Sequence, residues 1–170
     1  PNRYHAGLKA GQLSQAGYLL KMVMLSLAEC GIYDENDFCR RMESELFPLL
    51  DGTPISGPGG YTSQSIREAW RRRVEQELPW SETGGHADTT EAIERTLAIA
   101  VRYAQHPHKL ATAITSNTLL TQTDDTVVSM TVAYGAVLGM LVQGHQLDAD
   151  LSGKLMKLVK TNQLPFHVVT

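Results

Sequence analysis

The sequence is poor in cysteine and has no excess of basic residues. Two cysteines among 170 residues, Cys30 and Cys39, cannot form a disulfide framework, and their spacing does not match a CxxC motif. The two thiols are compatible with a reducing compartment, although the sequence does not identify the compartment. Lys and Arg total 15 against 18 Asp and Glu, a net charge of −3. This balance argues against general binding of nucleic acid, which requires a basic surface.

Strand patterns are also missing, whereas helix patterns are frequent. No alternation of apolar and polar residues extends beyond a few positions, so the sequence does not predict a sheet. Apolar residues instead recur with helical spacing, as at Ile93, Leu97 and Val101. Helices are predicted to begin near Leu13, at Pro107 and after Asp124, and the last two residue types favour a helix start. The chain is therefore predicted to be all-α, with one domain over residues 1–170.

One segment is apolar enough to raise the question of a membrane span. Residues 126–143 contain no charged side chain, and about 18 to 20 apolar residues are the minimum for crossing a bilayer. Polar and small residues interrupt the segment, and no Lys or Arg flanks it to fix an orientation. We therefore favour a central helix that is apolar on all sides because other helices surround it.

The most metal-like cluster is Thr123–Thr126, in which Asp124 and Asp125 lie between two threonines. Carboxylate and hydroxyl oxygens are ligands that Mg²⁺ and Ca²⁺ prefer. The same residues also suit a helix start, where they cap free N–H groups and complement the helix dipole. Both interpretations remain open at this point.

A second candidate is the polar junction at residues 85–90, which leads into a helix and could line a site for an anionic ligand. The alternative is capping alone, because Asp88–Glu91 has the pattern of a capping box.

A basic stretch also stands out. Arginines at 67, 71, 72 and 73 alternate with glutamates, which predicts a solvent-exposed helix face with i, i+4 ion pairs.

The order of three segments resembles the ADP-ribosylglycohydrolase family. These segments are Gly11–Tyr18, Ala87–Ala92 and Leu120–Val128, the last of which leads into the long apolar helix. Within the family, the order is most similar to the branch of J-type crystallins and selenoprotein J. The resemblance implies an orthogonal bundle of helices, and in active members two Mg²⁺ ions that support removal of ADP-ribose from modified substrates.

The resemblance also implies where this chain departs from active members. The early metal-binding carboxylates would fall at Ser14–Gly17, where none is present, and the late carboxylate motif would lie beyond Thr170. The bundle is therefore expected to be incomplete at both ends. The ligand loop corresponds to residues 86–90, and Gln122 stands where hydrolases often have His. The resemblance thus implies His86, Asp88, Thr89 and Gln122 as ligand-binding residues.

The residues and the family resemblance together suggest three functions. The first is a non-catalytic structural or partner-binding role with a degenerate metal site. The second is a Mg²⁺-dependent hydrolase that removes ADP-ribose, for which Mg²⁺ would be the cofactor and Asp124 and Asp125 are the candidate ligands. The third is a module that binds an ADP-ribose-like ligand without turning it over.

Overall fold

The structure, a computed structural model, describes residues 8–165 and contains seven α-helices in that range. No strand occurs among these residues, where a single isolated bridge joins Gly85 to Gln122. The prediction of an all-α fold is confirmed. The helices are α1 Gln15–Cys30, α2 Glu35–Arg41, α3 Gln64–Trp70, α4 Glu91–Arg102, α5 Pro107–Leu119, α6 Asp125–Val142 and α7 Asp150–Lys160.

Local capping signals explain several helix ends. The Ser14 hydroxyl accepts from the Gly17 N–H at 3.3 Å at the start of α1, and the Asp124 carboxylate accepts from the Val127 N–H at 3.0 Å at the start of α6. Pro107 occupies the first turn of α5. The predicted starts at Pro107 and after Asp124 are confirmed, whereas α1 begins at Gln15, two residues after the predicted Leu13, because Ser14 caps it.

Helix α4 is the centre of the fold and contacts α1, α5 and α6. Its residues Ile99 and Ala100 are fully buried. Helices α5 and α6 approach closely because α6 carries glycine at the contact: a Cβ at Gly135 would lie 2.2 Å from Ile114 Cδ1, and one at Gly139 would lie 3.0 Å from Leu110 Cδ1.

Helix α6 is apolar on all sides, but it is not buried on all sides. Its buried face packs on α4 and α5, whereas Met130, Tyr134 and Val142 on other faces are 49–55 % exposed. The prediction of burial on every side is wrong, because the neighbouring described helices cover only part of the surface of α6. By length and apolarity α6 is the one described helix that could cross a membrane. Its packing on α4 and α5 is that of a core helix, which argues against a span.

The four arginines at 67, 71, 72 and 73 do not form a plain solvated face. Each donates to a backbone carbonyl in the loops beside α3, and the acceptors are, in order, Thr62, Gly52, Gly84 and Leu78. Guanidinium groups have several donors in a rigid fork, so they suit this anchoring of loops. In place of the predicted i, i+4 pairing, these bonds to backbone carbonyls hold the loops on both sides of α3.

Candidate functional site

The starts of α1, α3 and α4 meet around a cleft of about 320 Å³, which we call the α1–α4 cleft. All three helix N-termini contribute to its walls. Its lining residues are Ser14, Gln15, Ala16, Tyr61, Ser63, Glu91 and Glu94.

Gln15 joins the start of α1 to the start of α3. Its Oε1 accepts from the Ser63 N–H at 2.6 Å, and its Nε2 donates to the Ser63 hydroxyl at 3.1 Å. Both residues are buried, with 7 % and 3 % of their surfaces exposed. Because buried amide and hydroxyl groups need partners, this pair satisfies groups that would otherwise destabilise the fold. Gln15 therefore acts as a clamp between two helices.

Glu91 and Glu94 place two carboxyl groups on the α4 wall of the cleft. Glu91 Oε2 accepts from the Ser65 N–H at 3.2 Å and so caps the first turn of α3. Partial burial, followed by the negative charge of Glu91, raises the pKa of Glu94. The α4 wall of the cleft is therefore acidic, and the Glu91 carboxylate is already hydrogen-bonded to the backbone of α3.

The predicted capping box at Asp88–Glu91 is not formed. Thr90 stands at the N-cap of α4 without a side-chain cap bond, and Glu91 reaches α3 instead of its own helix. The cap of α4 comes from Gln122, whose Oε1 accepts from the Ala92 N–H at 3.0 Å. A residue thirty positions away thus supplies the acceptor, which a search for local capping patterns cannot find.

Gln122 also organises the polar junction that precedes α4. It is fully buried, and its Nε2 donates to the carbonyls of Ala87 at 2.9 Å and Thr89 at 2.7 Å. Its side chain therefore makes three hydrogen bonds inside the protein. This geometry assigns Gln122 a positioning role for the junction, and contact of Gln122 with a ligand stays a prediction.

The other predicted ligand-binding residues lie on the same junction. Gly85 pairs with the backbone of Thr121 and Thr123, and His86 Nδ1 lies 3.4 Å from the Thr123 hydroxyl. His86 and Asp88 are exposed, and Thr89 is half-buried. The structure thus places His86, Asp88 and Thr89 on one loop, with Gln122 bonded to that loop from the connection between α5 and α6, and their role in binding a ligand remains a prediction.

Sequence reasoning missed a buried polar network beneath the start of α4. Arg95, 1 % exposed, donates through Nε to Asn117 Oδ1 at 2.7 Å and through Nη2 to the Asn117 carbonyl at 2.9 Å and the Thr121 hydroxyl at 2.8 Å. Burial lowers the pKa of Arg95 to about 10. Arg95 thereby ties α4 to α5, and the spacing of residues in the sequence gives no signal for a buried cation.

Asp124 and Asp125 lie at the start of α6, where Asp124 caps the helix and Asp125 is exposed in the first turn. Among residues 8–165, no group of three or more His, Cys, Asp or Glu side chains could share a metal ion. A metal role for Asp124 and Asp125 stays a prediction, while the capping bond of Asp124 is present.

The family resemblance places Mg²⁺ ligands at the start of α1. The polar side chains there are Ser14 and Gln15, which offer a hydroxyl that caps α1 and an amide held by Ser63. Mg²⁺ sites in proteins rely on carboxylate oxygens. The residues at this position therefore do not fit the carboxylate set that the resemblance implies.

The comparison with known families agrees with the helical fold. The family model of ADP-ribosylglycohydrolase matches residues 1–164. No curated protein and no solved structure matches the chain. The match extends over almost the entire sequence, and the chain belongs to the ADP-ribosylglycohydrolase family.

Proposed function

We propose that this chain uses the ADP-ribosylglycohydrolase fold in a non-catalytic role, as a structural or partner-binding protein. The observation that carries the proposal is the Gln15–Ser63 clamp. It occupies the position where the resemblance implies a metal-binding carboxylate, and both groups of the Gln15 amide hold α3 in place.

Two further features support the proposal. Glu91, the carboxylate on the opposite wall, is engaged in capping α3. Helices α1 and α6 expose apolar side chains, among them Met24 and Met130, each 55 % exposed. A partner protein that covered these side chains would remove their apolar surface from water. We also propose, from the order of the three sequence segments, that the chain belongs to the branch of the J-type crystallins and selenoprotein J.

A Mg²⁺-dependent hydrolase is the second candidate function. The pair Glu91 and Glu94 favours it, since two carboxyl groups one helical turn apart face a cleft and the pKa of Glu94 is raised. A carboxylic acid with a raised pKa can serve in proton transfer. An ADP-ribose binder without turnover would use the same cleft and the junction of His86, Asp88 and Thr89.

Titration calorimetry with ADP-ribose, with and without Mg²⁺, separates the three functions. The structural role predicts no saturable heat under either condition. Saturable binding without Mg²⁺ contradicts it in favour of the ligand binder. Binding that requires Mg²⁺ contradicts it in favour of the hydrolase.

Two matched variants show whether any heat of binding arises at the α1–α4 cleft. Glu91→Gln keeps an oxygen that can accept from Ser65 N–H, so the α3 cap and the fold are preserved while the charge is removed. Glu75→Gln removes an exposed charge outside the cleft. Heat that arises at the α1–α4 cleft changes in Glu91→Gln and is unaffected in Glu75→Gln.

A further inference from the structure

A second cleft lies at the other end of the helical core, between the turn that joins α4 to α5, the end of α6, and α7. Its volume is about 450 Å³, within the range of small-molecule sites. We call it the α7 cleft. Its polar lining includes Gln105, His145, Lys154, Lys157, Thr161 and Gln163.

Every ionisable side chain among the described residues that line the α7 cleft is basic. His145, Lys154 and Lys157 converge there, and neither Asp nor Glu belongs to the described lining. Within residues 8–165 none of the three makes an ion pair. The chain as a whole carries a net charge of −3, so this basic surface is local. Converging positive charge raises the local concentration of small anions.

Helix capping accounts for only part of this charge. Basic residues in a last helical turn interact favourably with the helix dipole, which explains Lys157 and Lys160 at the end of α7. Lys154, however, lies in the middle of α7, and His145 belongs to the turn after α6. The dipole of α7 gives no reason for either residue to face the cleft.

Neutral donors accompany the charges. The side-chain amides of Gln105 and Gln163 make no hydrogen bond within the part of the chain that is described, and both line the cleft. Met140 and Leu158 provide an apolar wall. An anion with several oxygens can accept from amide and ammonium donors at once, and bonds to charged donors are the stronger ones.

We infer that the α7 cleft is a binding site for a small phosphorylated molecule, with its phosphate held by Lys154, Lys157 and His145. A phosphate monoester carries about −1.5 to −2 charges at neutral pH, which two lysines balance. The small volume of the cleft and the overall negative charge favour a small ligand over a nucleic acid. This site is separate from the α1–α4 cleft and does not depend on the function proposed there.

NMR titration of the intact chain with inorganic phosphate and with glycerol phosphate tests the site, at ionic strength held constant with chloride. The His145 imidazole resonances are assigned with a His145→Gln variant. We expect a saturable shift of these resonances. Lys157→Gln should weaken binding about tenfold, the usual effect of losing one charged hydrogen bond. Lys160→Gln, in the same helical turn but outside the lining, should change affinity less than about twofold, because an exposed charge that makes no direct contact with the anion contributes little in water.

Both lysines are exposed, so neither variant is expected to unfold the protein, and circular dichroism verifies this. Three results would overturn the inference. They are the absence of a saturable His145 shift, an equal loss of affinity in the Lys157 and Lys160 variants, and binding of acetate as tight as that of phosphate.

Discussion

Replacing Gln122 with methionine tests whether this buried amide organises the start of α4. Methionine keeps the length and approximate volume of glutamine but removes its donor and acceptor. Three hydrogen bonds are lost: one from the Ala92 N–H and two to the carbonyls of Ala87 and Thr89. Gln122 has 0 % of its surface exposed, so water does not reach these groups without a local opening.

The expected loss in the free energy of unfolding follows from these three bonds. Each hydrogen bond contributes about 1 kcal/mol net, so Gln122→Met should lower the free energy of unfolding by about 3 kcal/mol. For a chain of this size about 1 kcal/mol corresponds to about 2–4 °C, so the melting temperature should fall by about 6–12 °C. Urea unfolding followed by circular dichroism measures the free energy, and thermal melting gives the temperature.

Gln64→Met is the matched control, because Gln64 is exposed and, within residues 8–165, its side chain bonds only to Glu68 on the same helix. It should change the free energy of unfolding by less than about 0.5 kcal/mol. A Gln122→Met protein as stable as this control would refute the assignment of Gln122 as the cap of α4. Lost ADP-ribose binding at unchanged stability would instead identify Gln122 as a ligand contact.

Two further substitutions test packing and electrostatics. Gly135→Ala should lower the free energy of unfolding by about 1 kcal/mol or more, because its Cβ would lie 2.2 Å from the buried Ile114 side chain. Gly153→Ala in α7, where a Cβ meets no atom within 4 Å, should raise the free energy of unfolding by up to about 1 kcal/mol. Equal effects of the two changes in urea unfolding would contradict the close approach of α5 and α6. Partial burial raises the pKa of Asp37, but hydrogen bonds, the strongest of them from Arg41, have the larger effect. The net result is a pKa of about 2. A carboxyl group whose folded pKa is lowered stabilises the protein above its unfolded pKa and loses that contribution as pH falls. The stability difference between the native chain and Asp37→Asn should therefore shrink as urea unfolding is repeated from pH 5 down to pH 2, and a constant difference would count against the Arg41 interaction.

The features that the sequence predicts well depend on near neighbours. Pro107 and Asp124 mark helix starts because their effect on the backbone reaches only two or three residues. The all-α class follows in the same way, from apolar spacing within each segment.

The features that escape prediction depend on residues far apart in the chain. Gln122 accepts from the N–H of Ala92, thirty positions earlier, and Gln15 bonds to Ser63, 48 positions away. In addition, no local sequence pattern identifies a glutamine that caps a distant helix or bonds to one. The apolar character of α6 likewise predicts that the helix packs against others, but it cannot say which face the rest of the protein covers.

We propose that the α1–α4 cleft of this chain does not support Mg²⁺-dependent hydrolysis. The most direct measurement is release of ADP-ribose from a mono-ADP-ribosylated protein, with Mg²⁺ and with EDTA. The clamp of Gln15 on Ser63 predicts equal release under both conditions, at the level of a control without the protein. Release that requires Mg²⁺, is lost in Glu91→Gln and persists in Glu75→Gln would contradict it.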